Sequence, residues 1–222
     1  MSVAAVIPAG GQGRRMGGRK QYLELAGEPI LLRTLRPFLE HPRVILVVVA
    51  LPPEDTASPP PFLPAEVEVV AGGRERGDSV RAALAAVPDT VDAVLVHDAA
   101  RPLVTGDVID RVLAAVDTGI GALAAIPVAD TLKRVNADGV VEATVDRAGL
   151  WRAQTPQGFP RAMIVDAYAR AAEEGIAATD EAGLVERYGG RVVVVDGSAR
   201  NIKITRPEDL DLALRLLREP SA

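Results

Sequence analysis

Cysteine is absent from the 222 residues, which removes thiolate catalysis, cysteine-ligated zinc, iron–sulfur chemistry and any disulfide framework. Histidine occurs only at 41 and 97, too few for a multi-histidine metal cage and a poor basis for a Ser-His-Asp hydrolase. Aromatic side chains are scarce, with one Trp, three Tyr and three Phe, so the core must be aliphatic. No apolar run approaches the roughly 18 residues that a membrane-crossing helix needs. A basic excess is missing too: the net charge is −5, which argues against general nucleic-acid binding. Met1 to Val6 carries no basic segment ahead of an apolar one, so a cytoplasmic location is the expectation. Lysine is the rarest charge. The 25 basic residues are 22 Arg and three Lys, at positions 20, 133 and 203. A compact ammonium is not interchangeable with a planar guanidinium, so at least two of these lysines are expected to serve chemistry that needs a point charge.

What is present suits one domain spanning 1–222, with 48% apolar and 25% charged residues. Apolar, β-rich runs alternate with amphipathic stretches from the start. Strands are expected at Val3–Pro8, Val44–Ala50, Val67–Val70, Ala93–His97, Gly121–Ile126, Arg191–Val195 and Ile202–Ile204. Helices are expected at about Pro29–Leu39, Asp78–Val87, Gly106–Val116, Arg161–Glu174, Asp180–Tyr188 and Pro207–Leu217, the last opening on a Thr205 cap with Glu208 at the capping-box position. Near-continuous Val/Ala/Leu strands separated by helices describe an α/β three-layer sandwich with a mostly parallel sheet. The rhythm breaks over 128–153, where two short β-like pieces flank the turn Asn136-Ala137-Asp138-Gly139. This reads as a projecting β-arm too thin to bury its own Leu132, Val135, Val140, Val141 and Val145. The simplest cover is the same arm of a second subunit about a two-fold axis.

The strongest local signal is Pro8-Ala9-Gly10-Gly11-Gln12-Gly13-Arg14-Arg15-Met16-Gly17-Gly18-Arg19-Lys20, directly after the first strand. Its five glycines let a backbone approach a ligand, and Arg14, Arg15, Arg19 and Lys20 crowd four positive charges that repel one another unless an anion is bound. It is not a P-loop, because Gln21 follows Lys20. It is a poor dinucleotide fingerprint, because Met16 stands where the third glycine belongs and no acid ends the second strand. Asp98 ends an apolar strand, in the crevice where open α/β sheets bind ligands; capping the next turn or pairing with Arg101 would explain it as well. Ser79 suits a helix cap, Thr179 likewise, and Lys203 between two isoleucines suits a side chain snorkelling at a sheet edge. His97 reads as hydrogen-bonded packing.

Eight motifs in order give the whole chain a resemblance to the cytidylyltransferases of the nucleotide-diphospho-sugar transferase fold, those acting on 2-C-methyl-D-erythritol 4-phosphate in particular. They are Pro8 to Met16 with Lys20-Gln21, Gly72 to Val80, His97 to Pro102, Asp130 to Lys133, Val145-Asp146-Arg147, Trp151 to Gln157, Thr179 to Ala182 and Asn201 to Thr205. Two departures are Gly10, where relatives more usually have Ala, and a stretch from Met16 to Lys20 shorter than in some relatives. The resemblance implies transfer of CMP from CTP to the polyol phosphate, with Arg15, Lys20, Arg147 and Lys203 as catalytic cations. It implies that Pro8, Ala9, Gly10, Gly11, Gly13, Gly73, Ser79 and Asp98 bind nucleotide. Asp98, Arg101, Thr131, Arg147, Thr155, Thr179 and Lys203 would hold the polyol phosphate, and Asp98 a Mg²⁺. It further implies a homodimer in which Arg147 reaches the neighbouring subunit's site. Such a reaction joins two polyanions and needs positioning and charge neutralisation rather than a nucleophilic side chain, which agrees with a chain poor in His and lacking Cys. Two rivals stand beside it: a ribitol 5-phosphate cytidylyltransferase, and a noncatalytic nucleotide-sensing module on the same fold.

Overall fold

The structure is a computed structural model describing residues 1–11, 18–177 and 179–218. In chain order the elements are β1 (Val3–Pro8), β2 (Glu24–Leu25), β3 (Glu28–Pro29), α1 (Ile30–Leu39), β4 (Val44–Leu51), α2 (Pro53–Thr56) and β5 (Glu68–Ala71). They continue with α3 (Arg76–Ala85), β6 (Ala93–Val96), α4 (Gly106–Ala115), β7 (Ile120–Pro127), β8 (Leu132–Val135), β9 (Val141–Val145) and β10 (Trp151–Pro160). The chain closes with α5 (Arg161–Glu174), α6 (Glu181–Arg187), β11 (Arg191–Asp196) and α7 (Pro207–Arg218).

Seven strands form the main sheet in the order β11-β7-β10-β6-β1-β4-β5. All neighbours are parallel except β10, which runs antiparallel to both β6 and β7. Strand periodicity splits the core into two layers. Val3, Ala5 and Ile7 of β1 face the side covered by Leu31, Leu35 and Phe38 of α1 and Val108, Ile109 and Val112 of α4. Ala4 and Val6 face Val80, Ala83 and Leu84 of α3, with Ile164 and Tyr168 of α5 and Leu184 and Val185 of α6. The predicted three-layer α/β sandwich with a mostly parallel sheet is the observed fold.

Three expectations are corrected. Trp151–Pro160 is a strand that the sequence pattern hid, because Pro156 and Gly158 lie inside it. The register against β7 shifts between Ala153 and Gln157, so the proline falls in the irregular stretch, where a missing N–H costs no ladder bond. Gly158 is required there, since a Cβ would come 2.8 Å from Val112 and 3.0 Å from Leu95. Ile202–Ile204 is not a strand; Ile204 N–H bonds the Ala100 carbonyl instead of a ladder partner. At the start of the last helix the acid that reaches back to the chain before it is Asp209, not the expected Glu208: its Oδ2 accepts from Thr205 N–H, Thr205 Oγ1 and Arg206 N–H.

The strands β8 and β9 form a separate two-stranded sheet, closed at its base by Val128 N–H donating to the Leu150 carbonyl. Its residues Val135, Val140 and Val141 are exposed, as are Leu150 and Trp151 beside its base. The arm therefore covers 128–150, with 151–153 already paired to β7.

Candidate active site

Two clefts open at the end of the sheet where β1 and β6 finish. The first is lined by Pro8, Ala9, Gly10, Gly11, Lys20, Gly73 and Ser79, together with Gln21, Arg74, Glu75, Arg76, Asp98 and Lys203. Its floor exists because two glycine segments approach backbone to backbone. A Cβ on Gly72 would lie 3.0 Å from the Leu51 carbonyl and 3.3 Å from Gly10 Cα, and one on Gly73 would collide with Asp78 Cβ at 2.2 Å. Ser79 is not the cap of α3. Glu75 and Asp78 form a capping box, and Ser79 Oγ accepts from Gly73 N–H at 3.2 Å while donating to the Glu75 carbonyl. The serine thus ties the loop to the helix whose N-terminus borders the cleft.

The second cleft is lined by Arg101, Thr155, Thr179 and Lys203, with Arg76, Asp98, Gln154, Gln157 and Asp180. Thr179 is not a cap either, because Asp180 takes that place and accepts from Gly183 N–H. The two clefts share Arg76, Asp98 and Lys203.

Asp98 is where the charges converge. Its Oδ1 accepts from Arg76 Nε at 3.0 Å, and its Oδ2 meets Lys203 Nζ at 2.8 Å and Arg101 Nε at 3.4 Å. Burial alone would raise this carboxyl, but Arg76, Lys203 and Arg101 outweigh it and hold Asp98 far below the ordinary carboxylate range. The pairing with Arg101 anticipated from sequence is therefore one of three, and the turn-capping alternative is not what occupies the side chain. Lys203 is carried by an irregular segment, not by a sheet edge. Lys20 donates to the Ile204 carbonyl at 2.9 Å, which brings two of the three lysines to one cleft, while Lys133 bonds Thr144 on the arm.

Behind Asp98 stands a buried pair that sequence reasoning missed. Arg76 grips both oxygens of Glu181 at 2.7 and 2.9 Å, and Tyr168 OH donates to Glu181 at 2.8 Å. Glu181 is 0% exposed, and a buried carboxylate left without its arginine would cost several kcal/mol. Burial would lower the guanidinium of Arg76, yet Glu181 and Asp98 more than offset it and hold its proton more firmly than usual. The signal was available. Arg76 shares a helical face with Val80, Ala83 and Leu84, and Glu181 shares one with Leu184 and Val185, so each charge sits on an apolar stripe and calls for a partner.

Other expected residues fall elsewhere. Arg19 belongs to an ion-pair cluster with Glu54 and Asp55, where Tyr22 OH also bonds Asp55, and it does not line the cleft. Thr131 and Arg147 lie on the arm, exposed and outside both clefts; Arg147 donates to the Ala129 carbonyl. Gly13 and Arg15 lie outside the described residues. Among the described residues no group of three or more His, Asp or Glu side chains could enclose a metal. Mg²⁺ asks less than that: one carboxylate, with substrate phosphates and water completing the octahedron. Asp98 fits as that carboxylate, since it lines both clefts and its Oδ1 accepts from Arg76 while the other two cations sit on Oδ2.

Residues 3–219 match the family described as 2-C-methyl-D-erythritol 4-phosphate cytidylyltransferase. The chain is 48% identical over 220 residues to a protein of that name from Symbiobacterium thermophilum, covering 98% of this chain and 93% of the relative. It is 48% identical over 219 residues to another from Chromohalobacter salexigens, covering 96% and 88%. A crystal structure of the Thermus thermophilus protein of the same name superimposes with a TM-score of 0.84 at 38% identity, covering 99% of this chain and all of that one.

Proposed function

This chain belongs to the 2-C-methyl-D-erythritol 4-phosphate cytidylyltransferase family, and from that premise we propose how its own residues divide the work. It is a nucleotidyltransferase that moves CMP from CTP to 2-C-methyl-D-erythritol 4-phosphate, yielding 4-diphosphocytidyl-2-C-methyl-D-erythritol and pyrophosphate for isoprenoid precursor synthesis. The observation that carries the division is the meeting of two clefts at Arg76, Asp98 and Lys203.

CTP takes the glycine-floored cleft, its cytosine read by Ser79 and by backbone around Pro8 to Gly11 and Gly73. The polyol phosphate takes the cleft of Arg101, Thr155, Thr179 and Lys203. Its phosphate oxygen attacks the α-phosphorus of CTP, a new P–O bond forms, and the bond to the β-phosphate breaks in line. The attacking phosphate is already ionised, so no general base is needed; Lys20 and Arg15 neutralise the departing pyrophosphate, and Lys203 holds the incoming phosphate. Asp98 would hold Mg²⁺, which when bound to the CTP phosphates supplies further charge neutralisation. The whole of 1–222 acts as one catalytic domain in the cytoplasm, and the arm joins two copies so that Arg147 serves the partner's polyol phosphate.

Pyrophosphate release from CTP with 2-C-methyl-D-erythritol 4-phosphate, run beside ribitol 5-phosphate, tests the reading. Turnover is expected with the branched polyol at least about tenfold better in kcat/KM, a difference of roughly 1.4 kcal/mol. Preference for ribitol 5-phosphate would move the chain to the other activity, and no release with either would leave only a nucleotide-binding role.

A further inference from the structure

His97 enters no step above, yet the hydrogen bonds around it set the chemistry of a substrate contact. The imidazole is 0% exposed and packs against the Phe38 ring, with centroids 5.0 Å apart. Nε2 lies 3.2 Å from the Arg101 carbonyl oxygen and Nδ1 lies 3.0 Å from Thr155 Oγ1. A carbonyl oxygen can only accept, so the hydrogen of this bond belongs to Nε2. Among the described residues the ring's hydrogen-bond partners are a carbonyl and a hydroxyl, with no carboxylate to balance a buried imidazolium, so the ring has one hydrogen and Nδ1 is a bare acceptor. The hydrogen between Nδ1 and Thr155 must then be the threonine's own. On its other side Thr155 Oγ1 accepts from Asp98 N–H at 3.0 Å. A hydroxyl has one hydrogen and two lone pairs. Here the hydrogen and one lone pair are spent inside the protein, and a single lone pair is left on a residue that lines the polyol cleft.

We propose that His97 is a positioning residue that fixes Thr155 as a hydrogen-bond acceptor, so that Thr155 selects a hydroxyl of the substrate and turns away its phosphate. This rests on the reading of the second cleft as the polyol site. An oxygen with no hydrogen to give repels an ionised phosphate oxygen and rewards a group that can donate. The phosphate is thereby left to Lys203, and the substrate is oriented by the contrast between one cationic and one acceptor wall. A substrate whose hydroxyl at that point is replaced by an ether or a keto oxygen would leave two acceptors facing each other, which sites built around a hydroxyl reject strongly.

Two substitutions separate the parts of the device. In His97→Gln the amide nitrogen reaches the position of Nε2, keeping the donor to Arg101 but offering Thr155 no acceptor. In His97→Asn the amide oxygen takes the place of Nδ1, keeping the acceptor and giving up Arg101. Steady-state kinetics should show KM for the polyol phosphate rising about tenfold in His97→Gln and less than about threefold in His97→Asn, with KM for CTP within about twofold in both. Equal rises in the two variants, or a rise confined to CTP, would overturn the proposal. The second measurement needs neither substrate nor variant of the site: nitrogen-15 shifts of the imidazoles in the wild-type protein, with His41→Gln assigning the two histidines. His97 should carry its hydrogen on Nε2 at pH 7 with Nδ1 unprotonated; a hydrogen on Nδ1 refutes the proposal whatever the substrate proves to be. Wild-type protein that does not turn over the polyol phosphate, with the Nε2–H form in place, refutes instead the reading of the cleft.

Discussion

At the scale of single residues, lysine in an arginine-rich chain is the informative choice. Lys203 Nζ sits 2.8 Å from Asp98 with its side chain 39% exposed, at the join of the two clefts. An ammonium can swing from that carboxylate onto a phosphate oxygen without the fixed fork of a guanidinium. Lys203→Ala is expected to raise KM for the polyol phosphate at least about tenfold while changing KM for CTP far less. Lys20→Ala should instead lower kcat by about a hundredfold or more, as losing a charge contact at the reacting phosphates does. Steady-state assays varying each substrate separate the two effects. Equal effects of Lys203→Ala on both substrates would place that lysine on the nucleotide side, and near-normal turnover of Lys20→Ala would remove it from the reaction. Asp98, Lys20, Lys203, Arg101, Thr155 and Thr179 were legible from their motifs. Arg76 and Glu181 went unread, although the apolar stripe each shares on its helix signals a buried charge that needs a partner.

At the scale of elements, the arm presents the clearest unsolved burial. Among the described residues the strands β8 and β9 pair only with each other, a two-stranded sheet is marginal alone, and Val135, Val140 and Val141 stand exposed. If a second copy covers them and Arg147 acts across that interface, inactive Lys20→Ala and Arg147→Ala chains should complement one another. A mixed dimer contains one site with both residues intact and one with neither. Co-refolding equal amounts should return about one quarter of wild-type activity, since half the dimers are mixed and half their sites whole. Mixed dimers that form without regaining activity would confine Arg147 to its own subunit or to no role. The strand β10 makes a different point at this scale. Its Gln154-Thr155-Pro156-Gln157 stretch is poor strand sequence; it spans a register shift within the sheet, and Gln154 and Thr155 of that stretch line the second cleft.

For the molecule as a whole, the buried neutral imidazole ties global stability to pH. His97 sits near 4 when folded against an ordinary value of 6.5, so between these values the unfolded chain binds the proton more readily. Stability from this group is complete above about pH 6.5, declines as pH falls towards 4, and amounts to on the order of 3 kcal/mol over that window. Urea unfolding at pH 7 and pH 4.5 should show the loss, and a His97→Gln variant should show less of it. An equal loss in both proteins would assign the acid sensitivity to other groups. Asp98 contributes with the same sign but only in much stronger acid, because its three cations keep it ionised.

Sequence by itself determined the layers of this protein, since strand and helix periodicity are local, and a glycine loop after the first strand marks where ligands meet an open α/β sheet. It determined the class of chemistry as well, by withholding cysteine and all but two histidines and placing three arginines and a lysine at that loop. Tertiary structure decided which charges face one another. Asp98 meets Arg76 across 22 residues of chain, and Arg76 meets Glu181 across 105, separations at which no periodicity carries information. It decided, too, that His97 and Thr155, 58 residues apart, share a hydrogen bond. The direction of a hydrogen bond follows from every donor and acceptor around it, and only the folded chain brings those together.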